Sequence, residues 1–243
     1  MDSPAIEPLL LAATRVATFD GTRVLTAASG FFFQRGERLF VVTSRHVLMD
    51  DASGHHPDRI EITLHDDAVD LTRTTVISIP LYCDGRSVWR EGKDAGGPID
   101  VAVVELDRAV VPRQTAVRPF TPAHLQQALE EIGIGASLLV VGFPLGFYDT
   151  VYRLPVARQA AVASAFGVRF QGQGFFLTDA RLHRGSSGAP VVIRNPNGDP
   201  QLPWTLLGIH SARLDMGTRE EGVDESLGLN CAWYADILLT LTE

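Results

Sequence analysis

The chain is short of cysteine, of basic charge and of long apolar runs. Only two of its 243 residues are cysteines, Cys83 and Cys231, far apart and in no metal-ligand spacing. No disulfide framework can hold the fold together, so a hydrophobic core must do it. Lys and Arg number 21 against 29 Asp and Glu, a formal net charge of −8. That excludes a general nucleic-acid binder, which needs a basic surface to meet phosphates. No apolar stretch approaches the about 20 residues of a membrane helix. The N-terminal "MDSPAIEPLLLAATRVATF" has Asp2 and Glu7 where a signal peptide is basic, and its apolar run stops at Arg15. A cytoplasmic chain is expected, with no membrane partner; a secreted or periplasmic one would need a leader since removed. The seven histidines show no HExxH pattern, so neither metal nor cofactor is expected.

What is present is apolar and turn-rich: 45% hydrophobic residues, with 22 glycines and 14 prolines. The apolar runs are short, β-branched and bounded by turns, as strands are. "RVATFDGTRVLTAASGFFFQRGERLFVVTSRHVL" reads as three strands broken at Asp20–Gly21 and Arg35–Gly36. "RIEITLHD", "TRTTVISIPLYC" and "DVAVVEL" follow as further strands. "TPAHLQQALEEIG" then spaces Leu125, Ala128, Leu129 and Ile132 as a helix does, behind Thr121 as cap and Pro122 in the first turn. After it come "ASLLVVGFPLG", "YRLPVARQAAVASAF", "VRFQGQGFFLTDA", "GAPVVI" and "WTLLGIHSA", again strand-like, and "CAWYADILLTLTE", read as a terminal helix. Many short strands in two halves around one connection point to a pair of β-barrels.

Three stretches carry reactive side chains beside strongly apolar segments: "FVVTSRHVL" with His46, "GPIDVAVVEL" with Asp100 and "RGSSGAPVV" with Ser187. They supply a base, a group to orient it and a hydroxyl nucleophile. His55 and His56, in a polar loop, and His65, read as an exposed strand residue, are weaker candidates for the base.

In these motifs the chain resembles the chymotrypsin/trypsin-like serine protease superfamily, in its disulfide-free bacterial branch. "VVTSRHVL" is similar to that family's histidine motif, "DVAVVEL" to its aspartate strand and "GSSGAPVV" to its serine motif. "VVGFPLG" and "LTDARLHRGSSGAP" resemble the second barrel of HtrA-type proteases. The resemblance spans residues 16–216. It implies an all-β fold of two six-stranded antiparallel barrels, with a short linker helix and a C-terminal helix. Residues 10–118 would form the first barrel, 119–131 the linker and 132–243 the second barrel with the terminal segment.

The function so implied is a serine endopeptidase working through His46, Asp100, Ser187 and an acyl-enzyme. The amides of Gly185 and Ser187 would form the oxyanion hole. In the family pattern, glycine stands two before the nucleophile and one after, which selects Ser187 over Ser186. Ser186 stands where trypsin has the aspartate that pairs with its new N-terminus, so activation by N-terminal insertion is not expected. Arg181, His210 and Ser211 are the expected substrate-side residues. Arg181 falls at the base of the specificity pocket, and His210 matches the histidine with which glutamyl endopeptidases bind acidic side chains. Together they would favour an acidic P1 residue, although HtrA-type enzymes carry small residues at the Arg181 position and prefer aliphatic P1. Ser211 also matches the serine that supports the aspartate in trypsin. The expected partner is a polypeptide substrate. Two further readings stand beside it: an inactive trypsin-like binding module, and a protease switched on by a regulatory protein.

Overall fold

The computed structural model describes residues 6–112, 114–126, 131–215 and 226–243. Strands β1 (Ala13–Asp20), β2 (Arg23–Arg35) and β3 (Arg38–Thr43) form a meander. It turns at Gly21 and Gly36, both at positive φ, a conformation that side-chain-bearing residues resist. A one-turn helix α1 (Arg45–Leu48) follows, then β4 (Arg59–His65) and β5 (Thr74–Pro80). A small ribbon of β6 (Tyr82–Cys83) and β7 (Arg86–Ser87) precedes β8 (Trp89–Asp94) and β9 (Gly97–Leu106). These strands, the ribbon apart, make one antiparallel sheet ordered β5-β4-β1-β2-β3-β9-β8.

The second half holds β10 (Ser137–Gly142), β11 (Val156–Val162), β12 (Phe175–Asp179), β13 (Pro190–Arg194), β14 (Trp204–Asp215) and β15 (Ser226–Tyr234). They close into a barrel ordered β10-β11-β12-β15-β14-β13. The all-β architecture matches the expected double-barrel fold, except that the first half is an open sheet of seven strands where a closed barrel of six was expected. The addition is β8, "WREGKD": only Trp89 is buried, and the charged residues lie along the open edge of the sheet, where charge discourages further pairing.

The seam between the halves is the main core. Successive side chains of a strand point to opposite faces. Phe31 and Phe33 therefore enter the core shared with the second barrel, while Phe32 between them enters the core of the first. On β9, Ile99, Val101 and Val103 go to the shared core and Ala102, Val104 and Leu106 to the first. Burial on both faces explains why these strands read as continuous apolar runs. Each such side chain contributes roughly 1.5–3 kcal/mol of transfer free energy. The rigid seam carries the loops described below.

Both helix expectations hold only in part among the described residues. Among the described residues the linker forms a 3₁₀ turn, Pro122–His124, whose Thr121 and His124 satisfy each other's backbone and side-chain groups. Leu125 then extends and bridges Leu206 of β14, because its side chain belongs to the shared core. Residues 127–130, with Ala128 and Leu129, lie outside the described residues. At the C-terminal end, "CAWY" finishes β15 and only Ile237–Leu241 is helical, as α2, with Leu238 and Leu241 buried in the shared core. No helix among the described residues is long and apolar enough to cross a membrane.

Candidate active site

β3 ends at Thr43, and the chain turns at once into α1, whose Val47 and Leu48 anchor in the first core. This short turn lifts His46 over the end of β9. Asp100 shares a strand face with Ala102 and Val104 but lies beyond the last residue paired with β3. Its Oδ1 accepts the His46 backbone N–H at 2.8 Å, and its Oδ2 meets His46 Nδ1 at 2.7 Å. A carboxylate only accepts, so Nδ1 carries the proton and Nε2 of the neutral ring is left as the basic nitrogen. Ser211 Oγ donates to the same Oδ2. Thus one carboxylate fixes the ring's position, its orientation and its tautomer.

Burial opposes charge on His46, but the hydrogen bond and charge of Asp100, with the nearby Asp50 carboxylate, outweigh it and hold the His46 pKa above the ordinary value. His210, wholly buried nearby, is pushed the other way, to about 4, by burial and then by the His46 charge. Its imidazole is therefore neutral at physiological pH.

Ser187 lies in the loop between β12 and β13. Gly185 and Gly188 flank it at φ of 88° and 83°. Neither position has room for a side chain: a Cβ on Gly185 would come 2.6 Å from the Phe143 carbonyl oxygen, and one on Gly188 2.2 Å from that of Ser29. Ser187 Oγ donates to the Ser211 carbonyl at 3.0 Å. The Arg184 carbonyl accepts from Leu145 N–H at 2.6 Å, and since N–H and C=O of one trans peptide point oppositely, Gly185 N–H faces away from that bond. The Ser186 carbonyl accepts from Ala189 N–H at 3.0 Å, which sets Ser187 N–H in the same manner. Among the described residues neither Gly185 N–H nor Ser187 N–H has a protein acceptor.

An open cleft of about 610 Å³ runs past these groups. It is lined by Arg23–Ala28 of β2, by the turn around Asp50–His55, by Arg184, Gly185 and Ser187, and by His46. His46, Asp100, Ser187, Gly185 and Ser211 are thus brought together. Arg181 is exposed, with its carbonyl held by Arg158 at 2.8 Å, and no hydrogen bond joins it to His210. His65, read from sequence as exposed, is buried and meets the Tyr152 carbonyl at 2.7 Å, because its strand packs against the loop leading to β11.

Other chemistries find little support. Cys231 is buried, and burial with the Asp100 charge raises its thiol to about 11, so it stays protonated and unreactive. No cluster of His, Cys, Asp or Glu able to hold a metal ion occurs among the described residues. Sequence reasoning missed Ser29 and Leu145, which touch the serine loop. The only local signal for Ser29 was the run of small residues "AASG" inside a strand, a sign of close backbone approach.

Residues 28–198 match the trypsin-like peptidase domain family. No curated protein matches the chain by sequence. Among solved structures, an HtrA-type protease, AlgW, solved with a tripeptide, superposes at a TM-score of 0.57 with 18% identity, over 96% of this chain and 59% of that one. The serine endoprotease from Yersinia pestis gives a TM-score of 0.55 with 16% identity, over 98% of this chain and 66% of that one. The chain therefore spans less than two thirds of the length of either structure, and at these identities the likeness is one of fold.

Proposed function

This chain belongs to the trypsin-like peptidase domain family, and from that premise we propose that it is a serine endopeptidase with His46, Asp100 and Ser187 as its triad. The observation that carries the reading is the Asp100–His46 pair beside a serine loop whose two free amides face no protein acceptor. Ser187 Oγ attacks the scissile carbonyl as His46 Nε2 takes its proton. Asp100 stabilises the imidazolium that forms. The amides of Gly185 and Ser187 meet the oxyanion of the tetrahedral intermediate. His46 then returns the proton to the leaving amine, and a water, activated the same way, frees the acid from Ser187. Before attack, Ser187 Oγ leaves the Ser211 carbonyl by rotating about one bond between staggered positions, a small adjustment for a partly exposed side chain.

The binding-module reading needs a collapsed oxyanion loop, and the free amides count against it. The hydroxyl's bond to Ser211 favours a second reading, in which a regulatory protein turns Ser187 toward His46. A fluorophosphonate probe separates these. The isolated chain is expected to be labelled, with the adduct mapping by mass to Ser187. No labelling of a folded chain, alone or with cell extract, would sink the enzyme reading. Labelling only with extract would favour the switched one.

An acidic P1 preference remains part of the proposal. Its support is His210, whose Nδ1 is buried without a partner among the described residues. Being neutral, it would hold a P1 carboxylate by donating a hydrogen bond rather than as a cation. A peptide-library cleavage profile is expected to favour Glu or Asp at P1, and His210→Ala to reduce that preference by about tenfold. A wild-type profile without acidic P1 would remove this part alone.

A further inference from the structure

Ser29 belongs to the first barrel, yet its N–H and its hydroxyl both bond the serine loop. Its N–H donates to the Ser187 carbonyl at 3.0 Å. Its hydroxyl donates to the Gly185 carbonyl at 2.7 Å and accepts from Phe143 N–H at 2.9 Å. Its own carbonyl accepts from Thr43 Oγ1 at 2.8 Å. The side chain is fully buried, in a slot between two glycines. A Cβ on Gly142 would come 2.3 Å from Ser29 Oγ, and one on Gly188 2.2 Å from Ser29 O. The slot admits a hydroxyl and little more.

We propose that Ser29 is a positioning residue for the oxyanion hole, a brace from one barrel that holds the serine loop of the other in its open form. The inference rests on the reading of Gly185 and Ser187 as oxyanion donors. Gly185 is the weak point of such a loop, because a glycine at positive φ can rotate the peptides on either side of it at little steric cost. Both are held from outside. Leu145 N–H holds the Arg184 carbonyl, and Ser29 Oγ holds the Gly185 carbonyl. Ser29 N–H also holds the Ser187 carbonyl. Without the hydroxyl, the peptide after Gly185 keeps only the local Ser186 N–H bond to the His183 carbonyl and loses its tie to the other barrel, and Phe143 N–H and Gly185 C=O lose their partner. Leu145 itself stands at φ 53° with its side chain exposed. That strained backbone persists where its neighbours dictate it, here by presenting an amide to Arg184.

The test uses the full chain, a fluorogenic peptide that wild type cleaves, and the matching peptide aldehyde, whose hemiacetal oxygen fills the hole. Rates are taken per active site, counted by fluorophosphonate titration. In Ser29→Ala, kcat is expected to fall about 10- to 100-fold with KM nearly unchanged, and aldehyde affinity to weaken by a similar factor. The acid limb of the pH profile stays in place, since His46 and Asp100 are untouched. A merely structural role would reduce the number of active sites and leave the rate per site alone. If Ser29→Ala does not fold, Thr43→Val removes the bond to the Ser29 carbonyl and is expected to act in the same direction with a smaller effect. Wild-type kcat and aldehyde affinity per site in the variant that folds would overturn the brace alone. A folded wild type that neither cleaves nor labels would overturn the protease reading and the brace with it.

Discussion

Ser187→Ala should lower kcat by about 10⁶-fold, while Ser186→Ala should cost no more than about tenfold. The two serines are adjacent, but the backbone gives them opposite surroundings. Ser187 lines the cleft with His46. Ser186 is buried, its N–H donates to the His183 carbonyl at 3.1 Å and its carbonyl accepts from Ala189. Its contribution is to the shape of the loop. The residual activity of Ser187→Ala should come from substrate binding and from the amide of Gly185, neither of which needs the hydroxyl. Steady-state hydrolysis of one peptide by both variants, with melting curves to show that each folds, checks the pair. A reversed order of effects would reassign the nucleophile.

Much of this site was legible in the sequence because its motifs are local. Gly185 and Gly188 bracket Ser187 within five residues, and an apolar strand follows Asp100 directly. The three-strand reading of the N-terminal meander matches the observed strands, since a glycine at positive φ marks each break. The brace was not legible. Ser29 bonds Phe143 across 114 residues of chain and Gly185 across 156, and no periodicity or local propensity reports such a pairing. The first residues of the linker depart from the expected helix for a related reason. Leu125 at helical spacing with Ile132 suggested a helix, but its partner is Leu206, and pairing with β14 decided the local conformation. β8 was missed because an edge strand needs few apolar residues: pairing with β9 supplies its backbone bonds, and only Trp89 is buried.

Asp100→Asn should lower kcat by about 10⁴-fold near neutral pH while leaving the protein folded. The carboxylate of Asp100 accepts from His46 N–H, His46 Nδ1–H and Ser211 Oγ–H, with no donor of its own. An amide in its place has one oxygen and one NH₂. If the oxygen keeps the backbone N–H of His46, the NH₂ faces Nδ1 and Ser211 Oγ. Nδ1 must then accept, which moves the ring proton to Nε2 and removes the base from Ser187. The pH dependence should change as well. Protonated His46 cannot act as base, so activity falls as pH drops through its pKa. Asp100 raises that pKa, and burial lowers it. With the charge gone, burial is opposed only by Asp50, so the acid limb of kcat/KM should move to lower pH. The variant should therefore lose rate at every pH but lose proportionately less under mildly acidic conditions. Reading kcat/KM against pH for both proteins distinguishes this from simple damage, which would scale the wild-type curve without moving its limb.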